Sequence, residues 1–318
     1  MIIRLGYVAH ATSLWNTSPA KTLTFSRWKK MNDQERKRAL YNITKKNLEH
    51  TIRALHFNIA HGIKLYRFSS SLVPLATHQE VEWDYLSPFS SLYKEIGGLV
   101  KQHGIRTSFH PNQFTLFTSD KPYITANAVN DMKYHYHLLD AMNLSTEAYI
   151  NLHVGGAYGD KSAAVNRFYT NLQQLPLPIK KQMTLENDDK TYTAFEVLDI
   201  CETENIPCMF DFHHYKANRH SSENLEMILP RVFKTWKHTP HPPKIHVSSP
   251  KSEAAYRSHA DYVDLAFILP LIDAIKQYGQ SLDIMVEAKQ KDKAALQLVK
   301  ELADLRGIKR LDGAVLKV

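Results

Sequence analysis

Arg106-Thr107-Ser108-Phe109-His110-Pro111-Asn112-Gln113-Phe114 reads as a short strand that stops at a histidine and then turns. Pro111 ends it, because proline fixes φ and has no amide proton to give to a sheet. A helical segment from about Pro122 to Met142 follows. The same unit recurs along the chain. Strands at Ala148–Val154, Met183–Asn187, Pro207–His213, Lys244–Ser248 and Leu282–Ala288 precede helical stretches at Ser162–Gln174, Thr193–Asn205, Ser222–Trp236, Tyr262–Tyr278 and Lys293–Leu305. Upstream, Ile2–Val8 and Leu65–Ser69 are strands, with helical spacing over Asp33–Ala60 and Tyr85–His103. Short apolar strands alternating with helices pair in parallel. Eight such units predict an α/β chain folded as a single (β/α)8 TIM barrel over residues 1–318, its active site at the C-terminal mouth of the strands. No linker or glycine-rich boundary divides it.

Composition narrows the class. Of 318 residues, 40 are Lys or Arg and 32 are Asp or Glu, a net charge of +8 that favours a polyanionic partner. Two cysteines, Cys201 and Cys208, are too few for a disulfide scaffold and point to a reducing compartment. Met1–Val8 lacks the apolar core of a signal peptide, and no stretch is long enough to span a bilayer. The expectation is a cytoplasmic protein with no membrane partner. The 17 histidines are the more pointed signal, since imidazole is the commonest metal ligand.

The polar residues near the strand ends are Tyr7, Ser69, His110, His153, Glu186, Asp211, His246 and Glu287. In a parallel barrel all eight ends open onto one mouth. Six consecutive strands therefore deliver His, His, Glu, Asp, His and Glu to one place. Three carboxylates there would repel one another unless cations are held between them. Mixed imidazole and carboxylate donors suit Mn²⁺, Zn²⁺ or Fe²⁺ better than Mg²⁺ or Ca²⁺. His259 lies on the loop after the seventh strand. His213 and His214 follow Asp211; alternation favours His213, but the strand should be ending there, so either could point inward. Lys244 precedes His246 by two residues, so both share a face. Its ammonium is expected to be held by a carboxylate, neutral, converted to a carbamate, or at the outer end of the strand in solvent.

These motifs resemble those of the UV damage endonucleases: Leu5-Gly6-Tyr7, Ser108-Phe109-His110-Pro111-Asn112-Gln113, Asn151-Leu152-His153-Val154-Gly155-Gly156, Leu185-Glu186-Asn187-Asp188-Asp189, Asp211-Phe212-His213-His214 and Lys244-Ile245-His246-Val247-Ser248. The resemblance runs from residue 2 to about residue 290. It implies a barrel related to the apurinic endonucleases and sugar isomerases, nicking DNA immediately 5′ to ultraviolet photoproducts. It also implies three divalent cations, Mn²⁺ preferred, with Zn²⁺, Co²⁺ or Mg²⁺ as substitutes. By position, His110, His153 and Glu186 would hold one cation, and Glu186, Asp211, His246 and Glu287 a second. His214 and His259 would hold a third, which favours His214 over His213, and Glu186 would bridge two. Catalytic roles fall to Glu186 and Lys244.

Gln113 and Phe114 match the pair that the family inserts at the lesion, with phenylalanine where tyrosine is expected. Asn112 and Tyr7 are further candidates for DNA or lesion contact, Tyr7 having barrel-rim packing as its alternative. His10 departs from the family's usual polar residue. Lys21, Arg27, Trp28, Lys29 and Lys30 on the long first loop are candidates for phosphate contact. The expected partner is UV-damaged double-stranded DNA, bound by a monomer that joins the nucleoid when it acts. A metal-dependent sugar isomerase, an apurinic endonuclease and a non-catalytic DNA-binding barrel are the competing readings.

Overall fold

The computed structural model describes residues 1–318. Eight strands close the barrel: β1 (Ile2–Val8), β2 (Leu65–Arg67), β3 (Arg106–Phe109), β4 (Tyr149–His153), β5 (Met183–Glu186), β6 (Cys208–Asp211), β7 (Lys244–Val247) and β8 (Leu282–Val286). Each pairs in parallel with the next, and β1 pairs with both β8 and β2, so the eight have no free edge. Closure brings β1 and β2 close together: a Cβ on Gly6 would lie 2.0 Å from the Leu65 carbonyl oxygen. The outer layer is built mainly from α2 (Asp33–Ala60), α3 (Ser90–Gln102), α4 (Pro122–Ala141), α5 (Lys161–Leu172), α7 (Ala194–Glu204), α9 (Leu225–Thr235), α10 (Leu265–Tyr278) and α11 (Lys291–Ala303). Shorter helices α1 (Phe25–Lys29), α6 (Leu177–Lys180) and α8 (Phe212–Ala217) sit in the connections. One cluster of 74 buried apolar residues joins the strands to the helical layer. No helix is long and apolar enough to cross a membrane.

Helix ends are set locally. Asn32 and Thr193 form capping boxes with Glu35 and Glu196, and Asn224 and Asp264 accept backbone amides at the starts of α9 and α10. Expected boundaries therefore shift by a few residues, as at α10, which starts at Leu265 rather than Tyr262.

Two features differ from the sequence expectation. First, the apolar pattern assigns no element to residues 309–318, yet Lys309–Asp312 (β9) and Val315–Lys317 (β10) form an antiparallel hairpin. β10 pairs antiparallel with Ile2–Arg4 of β1, while Gly6–Val8 pair with the short β2. The hairpin thus covers the stretch of β1 that β2 is too short to reach. Gly313, at its turn, sits so close to α2 that a Cβ there would lie 1.5 Å from the His61 carbonyl oxygen. Second, β6 stops at Asp211 rather than running to His213, and α8 begins at the next residue. Asp211 caps it by accepting the His214 amide at 2.8 Å.

Candidate metal centre and nucleic-acid interface

Strand register assembles the site. His153 is directly opposite Glu186 across the β4–β5 pair, and Asp211 is opposite His246 across β6–β7. His110 and Glu287 each stand one residue beyond their strands, at the mouth. The outcome is two ligand groups that share one member: His110, His153 and Glu186, and Glu186, Asp211, His246 and Glu287. Within each, the donor atoms lie within 4.8 Å of one another.

Glu186 is fully buried at the centre. One carboxylate oxygen accepts from His110 Nε2 at 3.1 Å and from Asn151, and the other faces His246 Nδ1 at 3.0 Å. Burial alone would raise its pKa, but His246, His153 and the hydrogen bond from His110 outweigh that and hold it well below the usual carboxylate range. Glu287 is also held low against its burial, first by Arg67, which pairs with it from the end of β2, and then by His246. Asp211 is different: burial, with Glu186 and Glu287 nearby, pushes its pKa up despite His214. Burial lowers His110 to about 4, with Glu186 opposing, which leaves the neutral imidazole that can ligate a metal.

The residues present fit a divalent cation. Asp211 Oδ2 and His153 Nδ1 are buried without a hydrogen-bond partner, a cost that is rarely left uncompensated. Crowded carboxylates among imidazoles are the donor set expected for Mn²⁺ or Zn²⁺.

The histidines after Asp211 are separated by geometry. Both ring nitrogens of His213 are engaged, Nδ1 with Ser248 Oγ at 2.7 Å and Nε2 with the Tyr256 carbonyl at 2.6 Å. His214 places only Nδ1 on a backbone partner, the Asn187 carbonyl at 2.9 Å, and its ring faces the His153 ring at 5.7 Å. Burial would lower its pKa, but Asp211, Glu186 and Glu287 raise it to about 9. A cation at His214 must therefore displace a proton. His259 holds the Glu287 carbonyl through Nδ1, and its ring lies 6.1 Å from that of His214. These two are neighbours but belong to neither compact ligand group.

Lys244 is buried in the barrel, not in solvent at the outer end of its strand. Its Nζ donates to Ser108 Oγ at 2.9 Å, with no carboxylate in ion-pair range. Burial, then Arg106, pushes its pKa far down, toward the neutral amine. Tyr7 is also placed away from the surface: it is fully buried, and its hydroxyl donates to Asn58 Oδ1 at 2.7 Å. The packing alternative describes it, because alternation turns its ring into the barrel wall.

The turn after His110 stands out from the mouth. Phe114 is 72% exposed. Asn112 builds the turn by accepting the Phe114 amide at 2.8 Å, which leaves Gln113 and Phe114 as its projecting side chains. Ser70 Oγ on the His110 carbonyl and Thr115 Oγ1 on Asp131 pin both ends. Gln113 and Phe114 line one cleft of about 480 Å³ together with His153 and His214.

Likeness to known proteins extends over the whole chain. The model for UV-endonuclease UvdE matches residues 3–317. The chain belongs to that family. The UV DNA damage endonuclease of Bacillus mycoides is 60% identical over 317 residues, covering 100% of both chains. The crystal structure of SacUVDE superposes with a TM-score of 0.83 at 29% identity, covering 95% of this chain and 100% of that one. Endonuclease IV from Thermus thermophilus, at a TM-score of 0.55 and 10% identity over 79% of this chain and 93% of its own, shares the fold. Family membership makes this barrel a UV-damage nuclease with a histidine and carboxylate cluster able to bind metal at its mouth.

Three supporting residues are not among the sequence candidates. Arg67 ends β2 and holds Glu287; an arginine inside the apolar run Leu65–Phe68 is the signal that could have found it. Asn151 holds Glu186 and shares a face with His153, two residues on. Asn187 holds the Asp211 backbone, donating to its carbonyl and accepting its amide, both at 2.9 Å.

Proposed function

We propose that this protein hydrolyses the phosphodiester immediately 5′ to cyclobutane pyrimidine dimers and 6-4 photoproducts in double-stranded DNA, leaving a 3′-hydroxyl and a 5′-phosphate. The reaction uses three divalent cations, Mn²⁺ preferred. One observation carries the reading: two ligand groups meet at a buried, ionised Glu186 while an exposed Gln113–Phe114 turn shares the cleft with His153 and His214. The sugar-isomerase reading lacks a use for that turn.

His110, His153 and Glu186 would hold the first ion, Glu186, Asp211, His246 and Glu287 the second, and His214 with His259 the third. Bound cations supply an activated water and neutralise the phosphoryl oxygens. The chain's part is to keep Glu186 and Glu287 deprotonated, through the imidazoles and Arg67 respectively. Lys244 serves as a neutral amine or as its carbamate, a question that intact-protein mass answers. A photodimer stacks poorly, so turning its bases out of the helix costs less than for intact DNA. Phe114 then fills the gap by stacking, and Gln113 offers hydrogen bonds to the bases left behind. The pinned turn between His110 and Gln113 sets the distance from lesion to cut.

The deciding experiment incubates a duplex bearing one defined photodimer with the protein and Mn²⁺. A single nick 5′ to the dimer is expected. No nick, with epimerisation or isomerisation of a sugar instead, would overturn the proposal.

A further inference from the structure

The first loop presents a second feature that the cleft does not use. Trp15 is 89% exposed, more than any other large apolar side chain of the protein. Solvating an indole that fully has a cost that folding could have avoided by letting a mobile loop collapse. This loop is held open instead. Asp292, near the start of α11, takes hydrogen bonds from the Thr12 amide, the Thr12 hydroxyl and the Ser13 amide. His10 holds the Ser18 hydroxyl at 2.7 Å, and His50 of α2 holds the Ser18 carbonyl at 2.8 Å. The Trp15 carbonyl itself accepts from Thr17 Oγ1 and from Arg53. The backbone that carries the indole is thus held by a scaffold on both sides of it.

Its neighbours are cationic and unpaired. Lys46 and Arg53 are exposed on α2, seven residues apart and so on one face, and the loop is tied beside Lys46 by Asn47, which accepts the Lys21 amide at 2.9 Å and donates to the Lys21 carbonyl at 2.8 Å. None of these three is in an ion pair, whereas the nearby Lys45 is taken by Glu49 at 3.8 Å. Two lysines facing each other with no carboxylate between them repel, unless an anion is to lie over both. Of the other loop candidates, Lys29 faces Glu80 at 4.0 Å, and Trp28 is half-buried beneath the Arg36 guanidinium at 4.3 Å.

An aromatic side chain interleaved with unpaired basic ones is the footprint of nucleic-acid binding. We infer that Trp15, Lys21, Lys46 and Arg53 form a second DNA-binding surface. It grips the duplex flanking the lesion, on the β1 side of the mouth rather than the β3 side where Phe114 stands. The three cations take phosphates and Trp15 packs against the sugars of the groove. This inference rests on the proposed reading of the mouth as a DNA site. Unlike Phe114, the surface does not discriminate damage: it contributes to holding any duplex.

The test uses wild-type protein and three variants with intact and photodimer-bearing duplexes, measuring binding, incision and acrylamide quenching of tryptophan fluorescence. Trp15 is far more accessible than Trp28, Trp83 or the buried Trp236, so it dominates quenching. Duplex should protect it. Trp15→Ala should weaken binding of both duplexes by roughly tenfold to a hundredfold, and Trp15→Phe should retain most of the affinity. Lys46→Ala with Arg53→Ala should reduce the slope of log affinity against log salt by about two. If wild-type protein binds and nicks DNA while Trp15 stays unprotected and the variants bind normally, the surface is wrong and the nuclease reading stands. Protection of Trp15 by duplex without any nick would uphold the surface and overturn the nuclease reading instead. Protection by acidic peptide or anionic vesicles but not by DNA would assign the face to another partner and overturn the inference.

Discussion

Asp283 is the clearest place to perturb the barrel without touching the candidate metal centre. It is a fully buried residue of β8. It accepts Arg4 through Nε and Nη2, both at 2.6 Å, and Arg106 Nη1 at 2.7 Å. Arg106 is itself buried, with Nε and Nη2 unpartnered, and depends on Asp283, the Pro242 carbonyl and the Trp236 ring face. Asp283→Asn keeps the volume but removes the negative charge, stranding a buried guanidinium and a half-buried one. Breaking one side of a buried pair costs about 3–5 kcal/mol, a large share of the roughly 5–15 kcal/mol by which domains are stable. At ~3 kcal/mol per molar of urea, the unfolding midpoint should fall by about 1–2 M. Adding Arg106→Met removes the stranded charge and should recover part of that loss, so the double-mutant cycle measures the pair. A midpoint shift under about 0.3 M in Asp283→Asn would refute the reasoning, since the charge would then be compensated from elsewhere.

Three other outcomes concern the site, and one concerns its frame. Glu186→Gln, which takes a ligand from both groups at once, should abolish incision and lower the bound Mn²⁺ per chain measured by elemental analysis; full metal content would mean that Glu186 is not a shared ligand. Dialysis against a chelator should remove incision and Mn²⁺ should restore it, and nicking that persists after verified metal loss would dismiss the metal mechanism. Phe114→Ala should leave binding to intact duplex nearly unchanged while reducing the preference for the damaged one by roughly tenfold or more, and equal losses on both would place the ring in a structural role. Gly313→Ala puts a methyl into the His61 carbonyl and should destabilise the fold by about 1–3 kcal/mol in urea melts, whereas a neutral result would show that the C-terminal hairpin contributes little.

Much of the site is legible in the sequence because a parallel barrel converts chain order into position. Given eight strands, His110, His153, Glu186, Asp211, His246 and Glu287 have to face one mouth, and the two compact groups contain these six residues. The placement of the residues around them is not legible in the same way. His213 against His214 turns on where β6 stops. Two residues more of strand would have kept alternation and pointed His213 inward, but Asp211 caps a helix instead and brings round the residue three positions on.

What the linear chain determined by itself was the period of its apolar residues and the chemistry at each strand's end, because both are local properties of a few neighbouring residues. Only the tertiary structure decided which polar groups are satisfied by distant partners. Tyr7 finds Asn58 inside the wall, Lys244 loses its solvent beside Ser108 and Arg106, and Asp283 joins Arg4 to Arg106. The terminal hairpin takes its place for the same reason, since only a closed barrel leaves half of β1 in need of a partner. Burial and pairing at long range depend on the whole packing, and no window of sequence contains them.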